Sequence, residues 1–172
     1  MLMVLNSYDD YISFIIKNLY NSCMRVVLTT VDEASVTINN KLISHINKGF
    51  LLLVGFTMGD DKEIVSKMVD KLLSLRVFPD DHGQINISLQ DVGGAILSVS
   101  QFTLYADVRK GRRPSFVDAL RPGEAEPLYD YFNELIEARF GPISKGIFGA
   151  DMKVKSINDG PFTLIIDSKD LF

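Results

Sequence analysis

The chain has 172 residues, 47% of them hydrophobic, and a formal net charge of −4. This length fits one domain with a substantial core. The negative charge argues against a protein that coats nucleic acid in general, since such proteins are usually basic, although a local basic patch is enough to bind a few phosphates. The single cysteine, Cys23, excludes an intrachain disulfide and a cysteine-based zinc cluster, so a cytosolic (cytoplasmic) protein is the simplest inference.

Residues 1–23 differ in character from the rest of the chain. Their apolar side chains recur at helical spacing and predict a short amphipathic helix. The segment lacks the features of a secretory signal and is too short and too often interrupted by charges to span a membrane. We interpret residues 1–23 as an extension of uncertain status and residues 24–172 as the domain. A helix that docks on a membrane surface or a partner is the alternative.

After Met24 the sequence predicts strands in quick succession. Residues 25–31, 34–38 and 41–46 indicate a meander with a hairpin at Asn39-Asn40, and residues 50–56 form a continuous apolar run typical of a central strand. Asp60, with Glu63 three residues later, predicts the cap of a helix whose buried stripe extends to Leu75.

The next feature is an apolar, strand-like run over residues 97–107 that contains Ser100, Gln101 and Thr103. Strand alternation would place Gln101 and Thr103 on one face and Ser100 and Phe102 on the other. Residues 109–114, which follow directly, form the densest basic patch in the chain. Polar groups at a strand end beside a basic loop indicate a site for an anionic ligand.

The two histidines, His45 and His82, lie in a predicted hairpin and a predicted turn. We expect both to be solvated, and no metal site or conventional imidazole base is predicted.

The second half of the chain predicts one more helix and several strands. The helix starts at Pro122-Gly123 with acidic residues in its first turn and ends at Gly141-Pro142. Residues 147–152, 154–157 and 164–167 are strand-like, and Asn158-Asp159-Gly160-Pro161 is a strong turn signal. Local chemistry favours an ordinary turn, and the alternative is a Gly-Pro bond held cis between two strands, which can aim backbone carbonyls at a ligand. The whole pattern predicts a single α+β domain with antiparallel sheets.

Four separated motifs identify a resemblance. From Met24 to Ser168 the chain resembles the D-aminoacyl-tRNA deacylases in Ser100-Gln-Phe-Thr103, Lys110-Gly-Arg-Arg-Pro-Ser-Phe116, Phe148-Gly-Ala-Asp-Met152, and Asn158-Asp-Gly-Pro161 with Thr163. The resemblance implies antiparallel β-sheets that form a barrel-like core with two main flanking helices.

The resemblance also implies an activity and a site. The enzyme would hydrolyse the ester between a D-amino acid and the 3′-terminal adenosine of tRNA, as a homodimer without metal or cofactor. A cis Gly160-Pro161 peptide would enter the other subunit's site, exclude L side chains and admit glycine.

The ester would be lined by Ser100, Gln101, Phe102 and Thr103, with the Phe102 N–H as oxyanion donor. The rest of the substrate would contact Gly160, Pro161, Asn158, Phe148, Gly149, Met152 and Ala119. The tRNA phosphates would contact Arg109, Lys110, Arg112 and Arg113.

Thr103 has no base near it in sequence, so we favour assistance by the ribose 2′-hydroxyl over a threonine nucleophile.

One departure from the family concerns Thr29-Thr30, where relatives commonly carry Gln-Arg and the arginine helps to hold the Gly-Pro loop. This predicts that another group holds the loop or that it is held less tightly; Arg25, on the opposite strand face, is not an obvious substitute.

Two alternatives remain at this point. One is the related branch that removes L-alanine from tRNA, whose members carry Pro-Gln-Ala-Thr in place of Ser-Gln-Phe-Thr. The other is a non-catalytic protein that binds RNA ends through the basic loop. The expected partner in each case is the tRNA 3′ end, without DNA or membrane.

Overall fold

The computed structural model describes residues 23–171. The helix predicted within residues 1–23 therefore lies outside the described residues, apart from Cys23, which is buried. The strands are β1 (Arg25–Ile38), β2 (Lys41–Ile46), β3 (Gly49–Gly55), β4 (Arg76–Pro79), β5 (Ile85–Ser88), β6 (Ala95–Ser100), β7 (Ser144–Lys145) and β8 (Lys153–Asp167). The helices are α1 (Lys62–Ser74) and α2 (Pro122–Phe140), with 3-10 turns at Phe102–Tyr105 and Ser168–Asp170.

β1 is the strand around which the main sheet is arranged. The six strands follow the order β2-β1-β3-β6-β7, and β8 pairs with β1. β8 pairs antiparallel with β1 from Arg25↔Asp167 to Thr37↔Lys153, while β3 and β2 pair with successive parts of β1. The sheet is a nearly closed, barrel-like structure. The predicted α+β class and barrel-like core with two helices are confirmed.

Two strand pairs differ from the antiparallel arrangement that was predicted. β6 lies parallel to β3, and β7 lies parallel to β6. The chain leaves β3, passes through α1 and the β4–β5 hairpin, and returns to the start of β6, so the two strands run in the same direction. A connection of this length permits parallel pairing, which a tight hairpin cannot. The sheet is therefore mixed.

The ends of three predicted elements also differ. The two strands predicted over residues 25–38 are one continuous strand. β6 ends at Ser100, and a 3-10 turn follows, so the strand alternation predicted for residues 101–103 is wrong. Of the strand-like tail, residues 146–152 form a loop, and the Asn-Asp-Gly-Pro turn lies as a bulge inside the continuous strand β8.

The cap of α1 is Asp61 and not the predicted Asp60. The Asp61 Oδ1 atom accepts from the Ile64 N–H at 2.9 Å, whereas Asp60 Oδ2 accepts from the Thr57 N–H at 2.8 Å. Asp60 therefore fixes the turn that leads into the helix, and its neighbour satisfies the open N–H group of the first helical turn.

Apolar residues form two cores on opposite faces of the sheet. In the larger one, both helices cover the sheet, and Phe50 stacks on Phe78 with ring centroids 5.5 Å apart. The smaller core contains Leu97 and Val99 of β6, with Met152 packed against it. β6 thus contributes to both cores by strand alternation, which fixes the orientation of its C-terminal end. No helix among residues 23–171 is long and apolar enough to cross a membrane.

Asp60 makes stability depend on pH. Burial raises the pKa of this carboxyl to about 7, against the opposing effect of backbone N–H donors, and its Oδ1 atom has no hydrogen-bond partner within the described residues. A raised native-state pKa means that the folded protein holds the proton longer than the unfolded chain does. The contribution of Asp60 to stability therefore falls as pH rises from about 4 to about 7 and is constant above that range.

We predict that Asp60→Asn gains stability relative to the natural protein as pH rises, because the amide does not ionise while its oxygen still accepts from Thr57. The difference in unfolding free energy should grow by roughly 1 to 3 kcal/mol between pH 5 and pH 8. Urea unfolding at several pH values measures it. A difference that is constant with pH would contradict the assignment.

Candidate active site

A pocket of about 590 Å³ opens at the C-terminal end of β6. Its walls come from the end of β3, the 3-10 turn at Phe102–Tyr105, the start of α2 and the loop 146–152. Its lining is mostly apolar, with polar groups at the strand end, as is typical of small-ligand sites.

Most of the predicted ester and adenosine residues line this pocket, although they are far apart in sequence. They are Ser100, Gln101, Phe102, Ala119, Phe148, Gly149 and Met152. Thr103 is not among the lining residues; it is exposed, and its hydroxyl contacts the Gln101 Nε2 atom. Phe116, the last residue of the Lys110–Phe116 motif, also lines the pocket, which thus unites three of the motifs recognised in the sequence.

The backbone beside Phe102 is held in a defined position. The Gln101 N–H donates to the Val54 carbonyl at 2.7 Å, which ties the residue after β6 to the end of β3. Phe102 begins the 3-10 turn, where the turn itself supplies no acceptor for the first N–H groups. The Phe102 side chain, 57% exposed, packs edge-on against Phe116 with centroids 5.1 Å apart. The Phe102 N–H is therefore available at the pocket wall.

Arg25 connects this 3-10 turn to the C-terminal end of β8. Its guanidinium donates to both oxygens of Asp167, at 2.6 and 3.0 Å, and to the Leu104 carbonyl at 2.9 Å. It also lies over the Tyr105 ring, 5.6 Å from the centroid. The Arg25 side chain holds the pKa of Asp167 below its usual value. Arg25 therefore supports the 3-10 turn that carries the predicted oxyanion donor.

The pocket is supported from behind by a buried polar contact between β6 and α2. The Tyr129 hydroxyl donates to the Ser98 carbonyl at 2.9 Å, and the Tyr129 ring packs on Phe148 with centroids 5.9 Å apart. Burial raises the pKa of Tyr129, so the hydroxyl stays protonated and remains a donor. At Gly146 a Cβ atom would lie 2.5 Å from the Met152 Sδ atom, so a larger residue there would force the Met152 side chain to shift.

Arg121 also lines the pocket and was missed by the sequence analysis. It is exposed and occupies the N-cap position of α2. Its only signal in the sequence is that it precedes Pro122-Gly123, which marks a helix start and says nothing about a pocket. It adds a positive charge at the rim.

The basic loop lies next to the site and is not part of its lining. Asp107 and Ser115 pair through two backbone hydrogen bonds of 2.8 and 2.9 Å that close the loop. Within the loop, Arg109 donates to both oxygens of Asp107 at 2.8 Å and holds the pKa of that carboxyl at about 2. Among the ion pairs of the described residues, none involves Lys110, Arg112 or Arg113, which are exposed. These three cations are the ones available to an anion.

Asn158, Gly160 and Pro161 do not line the pocket of their own chain. All three are exposed on the bulge of β8, and the Gly160–Pro161 peptide is cis. Gly160 has φ of 123°, and a Cβ atom there would lie 2.8 Å from the Phe162 N atom. Only glycine fits this position.

The two histidines are exposed, as predicted, and neither lines the pocket. Residues 23–171 contain no group of three or more histidine, cysteine or acidic side chains arranged to hold a metal ion.

Comparison with known proteins connects these features to a family. Residues 27–167 match the family model described as D-Tyr-tRNA(Tyr) deacylase. The chain is 53% identical over 148 residues to a D-aminoacyl-tRNA deacylase of Thermomicrobium roseum, covering 86% of this chain and 96% of that protein. It is 51% identical over 144 residues to one of Lactobacillus helveticus, covering 84% and 99%.

Two solved structures are similar to this one. A c-Myc DNA Unwinding Element Binding Protein superposes with a TM-score of 0.78 at 39% identity, over 83% of this chain and 97% of that one. A probable eukaryotic D-amino acid tRNA deacylase superposes with a TM-score of 0.72 over 84% and 99% of the two chains. At 22% identity the second similarity shows the fold alone.

Proposed function

The chain belongs to the D-Tyr-tRNA(Tyr) deacylase family, and from this premise we propose that the pocket at the end of β6 is its active site. The enzyme is a D-aminoacyl-tRNA deacylase, which hydrolyses the ester between a D-amino acid and the 3′-terminal adenosine of tRNA. The observation that carries the assignment of the site is that one pocket brings residues 100–102 together with Phe148, Gly149 and Met152.

The pocket suits an aminoacylated adenosine. Its volume of about 590 Å³ is within the usual range for small-ligand sites. Phe148 and Met152 offer an aromatic face and a polarisable sulfur to the adenine, while Ser100 and Gln101 offer polar groups to the ester. Arg121 at the rim lies where a phosphate of the RNA chain can approach it.

The working unit in this proposal is a homodimer. The Gly160–Pro161 peptide is exposed and absent from the lining of its own chain's pocket, so it is available to a second copy. The side chains of Ile157 and Ile165 in β8 are also 49% and 70% exposed. Two-fold pairing of two copies through this strand would cover them. Each copy would then give its Gly-Pro bulge to the site of the other.

In this dimer, backbone atoms of the Gly160–Pro161 peptide would distinguish D substrates from L substrates. The Gly160 and Pro161 carbonyls would accept from the substrate's α-amino group and occupy the space that an L side chain needs. A rigid backbone can reject a whole side chain, whereas one methylene in an apolar pocket changes binding by only about 1 to 3 kcal/mol. Glycine has no side chain to reject, so glycyl-tRNA is a further expected substrate.

The chemical step needs an oxyanion donor and a way to activate water. The Phe102 N–H would stabilise the developing oxyanion, a contribution of about 10² to 10³ in rate. The exposed Thr103 hydroxyl contacts the Gln101 amide, which is not a base, so we assign the assisting group to the 2′-hydroxyl of the substrate's terminal ribose. Lys110, Arg112 and Arg113 would bind nearby phosphates, and a cytoplasmic location follows from the tRNA substrate.

D-tyrosyl-tRNA and L-tyrosyl-tRNA test the activity. We predict that kcat/KM for the D ester exceeds that for the L ester by at least about 100-fold, because the filter acts on the whole side chain. Rapid-quench deacylation with each substrate measures the ratio. Binding without turnover would instead favour the RNA-end binder, and preferential hydrolysis of L-alanyl-tRNA would favour the other branch of the family.

Thr103→Ala tests the mechanism. We predict that kcat stays within about threefold of the natural value, whereas a substrate that ends in 2′-deoxyadenosine reacts at least about 100 times more slowly, because it lacks the assisting hydroxyl. Single-turnover kinetics measure both. An acyl group trapped on Thr103 would contradict the assignment.

A further inference from the structure

The register of β1 and β8 is interrupted opposite a single residue. Thr29 pairs with Thr163 and Val31 pairs with Asn158, so Thr30 alone faces the four residues 159–162 of β8. This segment is the bulge that contains Gly160 and Pro161. Backbone hydrogen bonds between β1 and β8 do not hold the two ends of this bulge, because its carbonyl groups lie outside the regular pairing of the two strands.

The Thr30 side chain lies between the two ends of the bulge. Its hydroxyl donates to the Asp159 carbonyl at 2.7 Å and lies 3.4 Å from the Phe162 carbonyl. Asp159 precedes Gly160, and Phe162 follows Pro161. Thr30 is 2% exposed, on the same strand face as Val26 and Leu28 of the larger core, so its own position is fixed by packing. One rigid hydroxyl thus sets the distance between the points where the bulge leaves and rejoins the strand.

From this geometry we infer that Thr30 is the positioning residue that fixes where the Gly160–Pro161 carbonyls point, and thereby sets the selectivity for D over L esters. The inference rests on the proposed function, in which those carbonyls enter the partner's site. Thr30 touches no substrate; it acts through the backbone of Asp159 and Phe162. Arg25, the cation on the opposite face of β1, is engaged elsewhere with Asp167 and Leu104.

The substitution Thr30→Val separates this role from simple packing. Valine has nearly the same shape but cannot donate, so the Asp159 carbonyl loses its partner while the core stays filled. Thr30→Ser keeps the donor. Thr37→Val makes the same chemical change elsewhere on β1, opposite Leu42 and Lys153, and serves as the matched control.

The readout is the ratio of kcat/KM for D-tyrosyl-tRNA to that for L-tyrosyl-tRNA, a quantity that a general loss of active protein does not move. We expect the ratio to fall at least about tenfold in Thr30→Val, and to stay within about threefold of the natural value in Thr30→Ser and Thr37→Val. Thermal unfolding of each variant confirms that the measured protein is folded.

These experiments can overturn the proposed function and the role of Thr30 separately. A natural enzyme that does not prefer the D ester would overturn the proposed function itself. A natural enzyme that prefers the D ester, with an unchanged ratio in folded Thr30→Val, would overturn the role of Thr30 alone. If Thr30→Val does not fold, Thr30→Ala and Thr30→Ser are compared, and equal ratios in these two variants would also overturn it.

Discussion

The pairing of β1 with β8 is the constraint on which the rest of the structure depends. It joins the first and last strands of the described chain and runs from Arg25↔Asp167 to Thr37↔Lys153. At one end of this pairing Arg25 supports the 3-10 turn of the pocket, and at its centre Thr30 holds the bulge. A change in the register of β8 would therefore displace both the pocket wall and the Gly-Pro peptide, because a slip of one residue reverses every side chain of a strand.

In the proposed enzyme, the groups that act on the ester and the groups that distinguish D from L substrates lie on different elements of the fold. The pocket that we propose for the ester lies at the end of β6, where two cores and the Tyr129–Ser98 contact fix the backbone. The peptide that would read chirality lies on another strand, outside that pocket. Under the proposed dimer these parts meet only between copies, so each can be rigid without blocking the entry of the RNA. Preorganised backbone donors and acceptors suit this division, since they lose no side-chain entropy on binding.

Local patterns predicted much of the fold. Apolar periodicity located both helices and most strands because burial of one face determines the pattern. The end of β6 was missed because the apolar run continues through Phe102 and Leu104 into a 3-10 turn, where burial no longer alternates. The sequence did not predict the parallel pairing of β3 with β6. The length and composition of the segment between two strands do not determine whether the second strand runs parallel or antiparallel to the first. Asp60 and Asp61 are neighbours of one type, and only geometry decides which caps the helix.

For the site, recognisable motifs supplied about half of the residues that line the pocket, but Arg25, Thr30 and Arg121 needed the structure. Arg25 and Thr30 act on backbone carbonyls far away in sequence, at Leu104 and at Asp159, and such contacts leave no local pattern. At position 30 the sequence shows only that the arginine of the relatives is missing, whereas the Thr30 hydroxyl donates a hydrogen bond to the bulge. Short-range sequence patterns predict strands and helix caps. They do not predict the contacts that a side chain makes with residues distant in sequence once the sheet has formed.

In the proposed dimer, each site combines the pocket of one copy with the Gly160–Pro161 peptide of the other. The most direct measurement combines Ala119→Trp, which fills the pocket, with Gly160→Ala, which places a Cβ atom 2.8 Å from the Phe162 N atom. Each variant alone should be inactive on D-tyrosyl-tRNA. The two are co-expressed with different tags, and the mixed dimer is purified through both tags. The account predicts about half of the natural specific activity, because one of the two sites in a mixed dimer receives an intact pocket and an intact peptide. An inactive mixed dimer, or the failure of the two chains to form one, would contradict it.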